Sequence, residues 1–154
     1  REWRRGSRRA TELSLVICDV DQFKDYNASH GHLAGDDCLK RVAAALRDGV
    51  HRPADLVSRF GGEEFAVLMP DTSLRGATHV AERLRCAVMD CAIPHGRSSV
   101  SPVVTISLGV ASTTPTQDAS METLTAEADR CLYLAKRRGR NRVVASEDQQ
   151  PPTP

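Results

Sequence analysis

Residues 59–69 read Arg-Phe-Gly-Gly-Glu-Glu-Phe-Ala-Val-Leu-Met, two short apolar runs joined by Gly61-Gly62 with Glu63 and Glu64 beside the turn. A Gly-Gly connection between strand-like runs is a strong hairpin signal, because both glycines take φ > 0 at little cost. The expected hairpin holds two carboxylates at a tight tip, next to backbone with no side chain in the way, which suits a metal-bound phosphate ligand. A second acidic group is available upstream, where the apolar run Leu13–Cys18 ends in Asp19-Val20-Asp21. A buried strand that ends in aspartate and leads into a helix presents a carboxylate at the edge of an α/β site. Asp19 and Glu63 can then converge on a hard cation, and magnesium suits a site with few protein carboxylates and phosphates in its remaining positions. Spacing supports equally a plainer reading, in which Asp21 caps the next helix and Asp19 and Glu63 are solvated ends.

The elements needed to position these groups are legible as periodicities. Asp21–Tyr26 reads as a short helix with Asp21 as N-cap. Gly35–Arg47 carries Leu39, Val42, Ala43 and Leu46 at helical spacing, and Ser73–Cys91 carries Ala77, Val80, Ala81, Leu84 and Val88 on one stripe. Leu56–Phe60 and Phe65–Met69 are the hairpin arms. A Ser/Gly/Pro-rich loop over Pro94–Pro102 precedes a strand at Val103–Ala111, a helix at Ser120–Arg137 and a last short strand at Arg142–Ala145. A further helical stretch, Glu2–Arg9, comes before the first strand. From that strand onward the order is β-α-α-β-β-α-β-α-β, which predicts an α/β fold with a mixed central sheet flanked by helices.

Bulk properties narrow the function classes. The 154 residues suffice for one domain with a core of its own, and 21 Lys+Arg against 20 Asp+Glu leave a net charge of +1. That balance lacks the basic excess of a duplex-binding domain, so a nucleic-acid polymer is not the expected partner and any nucleotide recognition is local. No apolar stretch approaches the ~20 residues needed to cross a bilayer, so no membrane insertion is expected in this segment. Cys18, Cys38, Cys86, Cys91 and Cys131 form no CxxC pair and sit mostly in apolar runs, which favours buried reduced thiols and a cytoplasmic setting. Cys86 and Cys91 read as sharing one helix but not one face. Residues 147–154 carry no apolar side chain other than proline and are expected to form a disordered tail, with the domain occupying residues 1–146.

Five ordered motifs carry a resemblance to a known family. Asp19-Val-Asp-Gln-Phe-Lys-Asp-Tyr-Asn27, Gly31-His-Leu-Ala-Gly-Asp36 and Arg59-Phe-Gly-Gly-Glu-Glu-Phe65 are followed by Val104-Thr-Ile-Ser-Leu-Gly109 and by Ala128 to Arg142. The chain resembles the GGDEF family of diguanylate cyclases, in the GGEEF variant, from about Leu13 to Val144. The resemblance implies a palm-like nucleotide cyclase fold and condensation of two GTP into cyclic di-GMP with release of two pyrophosphates. That reaction is Mg2+-dependent (Mn2+ serving as a substitute) and runs across a homodimer whose protomers each supply half a site. It further implies Asp19, the Val20 carbonyl, Glu63 and Glu64 as metal contacts. Glu63 is the implied general base for the ribose 3′-hydroxyl, and Glu64 and Lys24 join it in the catalytic set. Asn27 and Asp36 are the implied guanine readers, with Phe23, His32, Gly61, Gly62, Lys136 and Arg140 completing the substrate site. Asn27 read alone is more often a loop turn residue, and the basic run Lys136–Arg142 read alone is a solvated helix end with Asn141 as a cap.

The resemblance also implies an inhibitory product site. Arg52-Pro-Ala-Asp55 matches the family's RxxD motif at the same offset from Gly61, with Arg83 as a secondary contact. An arginine can bond guanine O6 and N7 bidentately, and an aspartate can take the N1–H/N2–H edge; a surface ion pair is the ordinary alternative. Where the family commonly has Asn-Asp, Asn27 is followed here by Ala28, which spares the guanine-reading position. The family's upstream Asp-x-Leu-Thr segment, which helps close the nucleotide pocket, is absent from this sequence. A domain trimmed slightly short is therefore expected, drawn from a longer protein that could carry a sensor or an inner-membrane tether. The competing functions are a catalytically inactive cyclic di-GMP receptor using Arg52 and Asp55, and an adenylate-type or hybrid dinucleotide cyclase on the same palm.

Overall fold

A computed structural model of the chain describes residues 1–146. The tail expected at 147–154 lies outside the described residues. The elements, in chain order, are α1 (Glu2–Arg9), β1 (Leu13–Val20), α2 (Phe23–His30), α3 (His32–Gly49), β2 (Leu56–Gly61), β3 (Glu64–Pro70), α4 (Leu74–Asp90), β4 (Ile106–Thr113), α5 (Met121–Arg137) and β5 (Val143–Ala145). They build one five-stranded sheet in the order β2-β3-β1-β4-β5, antiparallel except for the parallel pair β4/β5. The expected mixed sheet flanked by helices is the observed one.

Strand β1 is buried along its whole length because it lies mid-sheet with helices on both faces. This explains why Leu13–Cys18 reads as an apolar run rather than an alternating one. Its alternate side chains separate into two cores. Val16, Cys18 and Val20 join the larger one with Val42, Leu46, Phe65, Leu84 and Leu108. Leu13, Leu15 and Ile17 face the other way, toward Leu124, Ala128 and Leu132 of α5. Asp19 follows the odd-numbered side chains toward α5, while the even-numbered ones face α3 and α4. Full burial of each Leu, Val or Phe contributes about 1.5–3 kcal/mol, so these two layers hold the sheet between the helices.

Several boundaries differ from the sequence reading. Helix α2 begins at Phe23, not Asp21, and its N-cap position is Gln22, in a left-handed conformation (φ 51°, ψ 39°) with no side-chain cap bond. Asp21 is withdrawn from capping because three donors further along the chain claim its carboxylate. The strand expected at Val103 is delayed to Ile106, since Val103 only bridges back to Pro94 across the neck of the loop. Cys91 lies just past the end of α4, at its C-cap, so it does not share that helix with Cys86. Cys18, Cys38 and Cys131 are buried as expected, but Cys91 is half-buried and Cys86 is exposed. Burial pushes the Cys18 thiol up to about 12 and the Cys38 thiol up to about 11, leaving both neutral.

Candidate active site

The acidic groups gather where β1 ends and the β2–β3 hairpin turns. The two-residue connection is Gly62-Glu63, not Gly61-Gly62: Gly61 still pairs with Glu64, and a register shift intervenes between Arg59 and Gly61. Both glycines have positive φ, 142° at Gly61 and 50° at Gly62, so the sequence signal located the turn but misplaced it by one residue. Glu63 is thus in the turn itself. Its carbonyl accepts from the Val20 amide at 3.2 Å, while Asp19 lies directly across from Glu64 in the β1/β3 ladder. The end of β1 and the hairpin tip form one acidic edge. The Arg59 guanidinium braces that edge by donating from Nε to the Gly62 carbonyl at 2.7 Å.

Lys136, on the last turn of α5, reaches Asp19 with Nζ 3.0 Å from Oδ2. The expected phosphate-contacting lysine is therefore an ion-pair partner of the first acidic residue in this structure. Burial, reinforced by the charges of Glu63 and Glu64, still raises the Asp19 carboxyl from 3.8 to about 6, although Lys136 opposes the shift. Because the folded-state value lies above the ordinary one, this group's stability contribution is complete below about pH 4 and is lost as pH rises through about 6. Thermal melts of the cation-free domain and of Asp19→Asn should reveal it. The variant is expected to gain on the parent between about pH 4 and pH 6 and to hold that gain above it, and a pH-independent difference would mean that the acidic cluster imposes no such cost.

Asp21 does not join this edge. It is 2 % exposed and accepts from Thr105 Oγ1 at 2.7 Å, Ser107 Oγ at 2.6 Å and the Asn141 amide at 3.0 Å. These bonds fasten β4 to the Gly139-Arg140-Asn141 turn, whose three residues all have positive φ. Asn141 lies beyond the C-cap of α5, which is Arg138, and its Oδ1 accepts from Arg85 at 2.9 Å. It is structural as expected, but as a turn tie rather than a helix cap. The Asp21 hub was missed in the sequence; the polar Thr105 and Ser107 within the otherwise apolar run Val103–Leu108 were the available signal.

A cleft of about 540 Å³ opens beside the acidic edge on the α2/α3 side, lined among others by Phe23, Lys24, Asn27, His32, Asp36 and Glu63. Gly62 is also at its wall. Asn27 is on α2 rather than in a loop, and the following helix brings Asp36 to the same cleft. Its Oδ1 is buried without a hydrogen-bond partner, and it occupies the space a Cβ on Gly35 would take, only 1.8 Å from that position. A buried acceptor left unsatisfied is costly. Gly35→Ala should therefore swing Asn27 aside and abolish nucleotide binding. Stability should change little, because alanine regains about 1 kcal/mol of helix propensity. Calorimetric titration beside a urea melt separates the two effects, and undiminished binding would show that Asn27 needs no clearance at Gly35.

The acidic edge and the cleft gather most of the expected residues. Neither Lys136 nor Arg140 lines the cleft; both belong to the α5 end of the site. Arg52, Asp55 and Arg83 lie elsewhere. Arg52 donates to Thr72 Oγ1 at 2.6 Å, and Arg83 donates to the Gly49 carbonyl at 2.7 Å through Nη2. Among the described residues Arg52 and Asp55 make no ion pair, so the ordinary alternative for this motif does not hold. Asp55 Oδ1 is buried and unpartnered, and burial raises its carboxyl while the Arg52 and Arg83 charges oppose the rise.

A sheet that gathers carboxylates at one edge beside a helix-walled cleft defines a palm-like α/β domain. The family model for "Diguanylate cyclase, GGDEF domain" matches residues 1–142. The chain is 42% identical over 139 residues to diguanylate cyclase DgcP of Pseudomonas aeruginosa, covering 90% of this chain and 20% of that protein. It is 39% identical over 146 residues to diguanylate cyclase A of Treponema denticola, covering 95% and 38%. Among solved structures, the GGDEF domain of DgcB from Caulobacter crescentus in complex with c-di-GMP superposes with a TM-score of 0.84 at 31% identity, over 95% of this chain and 84% of that one. The active GGEEF domain of a diguanylate cyclase from Vibrio cholerae gives 0.81 at 29% identity, over 97% and 91%. This chain belongs to the GGDEF family of diguanylate cyclase domains. It spans well under half the length of these two curated relatives.

Proposed function

We propose that this domain condenses two molecules of GTP into cyclic di-GMP, each protomer of a homodimer presenting one nucleotide to the other. The observation that carries the reading is Asn27, whose Oδ1 has no hydrogen-bond partner, lining one cleft with Asp36 and Glu63. An amide and a carboxylate complement the guanine edge, since the amide donates to O6 while the carboxylate accepts from N1–H and N2–H. Adenine reverses that polarity, which disfavours an adenylate cyclase. The base then lies between α2 and α3, and the ribose and phosphates extend toward the hairpin.

Glu63 takes the proton of the ribose 3′-hydroxyl as its oxygen attacks the α-phosphorus of the partner's GTP and pyrophosphate leaves. A second transfer in the opposite sense closes the ring. Asp19, Glu63, Glu64 and the Val20 carbonyl offer only oxygen donors, which suits Mg2+ or Mn2+. Among the described residues no three His, Cys, Asp or Glu are close enough to cage an ion unaided, which suits a site completed by phosphate oxygens. A bound divalent ion supplies neutralisation of the charge building on the transferring phosphate. Lys136, already drawn to Asp19, Arg140 and Lys24 add positive charge near the same groups. The backbone at Gly61 and Gly62 leaves phosphates free to approach.

The test is chromatographic product analysis of the domain, dimerised by a fused parallel coiled coil and supplied with GTP and Mg2+. Cyclic di-GMP and pyrophosphate in a one-to-two ratio are expected. A folded, dimeric, GTP-binding domain that makes neither would favour the receptor reading. Unpartnered Asp55 Oδ1, held near Arg52 and Arg83, supports product binding at a site apart from the cleft, and with it feedback inhibition. No helix among the described residues is long and apolar enough to cross a membrane, so a cytoplasmic domain of a longer protein fits this reading.

A further inference from the structure

The segment that sets the start of α2 is not part of the cleft. Gln22, between the Asp21 hub and the first cleft residue Phe23, is held in its left-handed conformation by the loop that follows α4. Gln22 Nε2 donates to Ser99 Oγ at 2.8 Å, and Gln22 Oε1 accepts from the Ser99 amide at 2.8 Å, so one side-chain amide is gripped at both ends. The Gln22 carbonyl, 2.9 Å from His95 Nε2, can only accept, which places the imidazole proton on Nε2. His95 is 1 % exposed and meets the ring of Tyr26, one turn along α2, edge-on at 5.3 Å.

The loop is stiff enough to act as a fixed point. Its neck is closed by His95 N to the Pro102 carbonyl at 2.9 Å and Val104 N to the Ile93 carbonyl at 2.8 Å. Ser98 Oγ accepts from the Val100 and Ser101 amides inside it. A non-glycine residue in the left-handed region needs such local bonds to stay there. Without them, the start of α2 would relax and carry Phe23 and Asn27 with it.

We infer that Ser99 and His95 are positioning residues for base recognition: through Gln22 they fix the register of α2 and so the placement of Asn27 opposite Asp36. The inference rests on the guanine-reading role proposed above. It assigns a functional part to a loop whose residues do not line the cleft.

The test uses the full chain as the parent, with Gln22→Ala and Ser99→Ala, and with Ser99→Thr as the conservative control. Amide hydrogen exchange of α2 is measured together with titration by the slowly reacting analogues GTPαS and ATPαS in the presence of Mg2+. In the two alanine variants α2 should exchange faster while α4 and β1 keep the parent rates. GTPαS should bind about three- to tenfold more weakly, the loss expected from one or two hydrogen bonds. ATPαS should be unaffected, so the base preference narrows, and Ser99→Thr should match the parent. General destabilisation would speed exchange throughout and leave the preference intact, which overturns the inference. Unchanged GTPαS binding in variants of a parent that does bind it overturns it equally. A parent with no preference for GTPαS brings down the guanine reading and this inference with it, and the exchange pattern then distinguishes a loop that anchors α2 from one that does not.

Discussion

Glu63→Ala is expected to lower the proposed formation of cyclic di-GMP by at least about a thousandfold, while the domain melts near the temperature of the parent. General-base removal alone costs about 10²–10⁴, and in the proposed mechanism this carboxylate is also one of the oxygen donors for the divalent ion. The stability cost is small because Glu63 is in a two-residue turn, half-buried, with its carbonyl rather than its side chain bonded to Val20. Steady-state turnover of the dimerised domain, with GTP binding measured in parallel, checks the expectation. A variant that keeps a tenth of the parent rate would move the base elsewhere, Glu64 being the next carboxylate along the same edge.

The second large effect falls far from the chemistry. Gly109 on β4 packs against the backbone of α5, where an added Cβ would lie 2.2 Å from the Ala128 carbonyl oxygen and 2.3 Å from the Leu132 nitrogen. Neither atom can rotate away, so Gly109→Ala forces α5 off the sheet. The expected loss is about 3 kcal/mol, the upper end of overpacking costs. That corresponds to a fall of roughly 6–12 °C in Tm for a domain of this size. Because α5 carries Lys136, any surviving activity should fall as well. Urea and thermal melts against the parent decide it, and a drop below about 1 kcal/mol would mean that α5 can shift as a rigid body without loss.

The sequence made most of the scaffold legible because its signals were local. The apolar run Leu13–Cys18, the helical stripes through Leu39–Leu46 and Ala77–Val88, and the paired glycines at 61 and 62 each report their own element, and each element formed. What escaped was decided by partners distant in sequence. Asp21 has the residue type and position of an N-cap, yet Thr105, Ser107 and the Asn141 amide outbid the nearby helix for its carboxylate. Val103 and Val104 have strand propensity, but the loop neck at Pro94 uses their backbone before the sheet can. The candidate site divides along the same line. The carboxylates of the turn and of the strand end were visible from spacing, whereas the pairing of Asn27 with Asp36 could be assigned only through the family resemblance. No spacing rule identifies the fit of Asn27 against Gly35, because it depends on how α2 and α3 meet.

The position of β1 has a consequence for how the protein comes into being. Its neighbours β3 and β4 come from far along the chain, and Asp19 faces Glu64 on one side and Ser107 on the other. Closing both intervening loops costs entropy that local contacts cannot offset in advance, so topologies of this kind fold more slowly than helical bundles. On the ribosome, the central strand is made before both of its neighbours and cannot be paired on both sides until β4 has been synthesised. A nascent chain ending before that strand already holds Asp19, Glu63 and Glu64 but can pair β1 on one side only. The complete sheet, and with it the Lys136 partner of Asp19, is thus withheld until β4, α5 and β5 have followed.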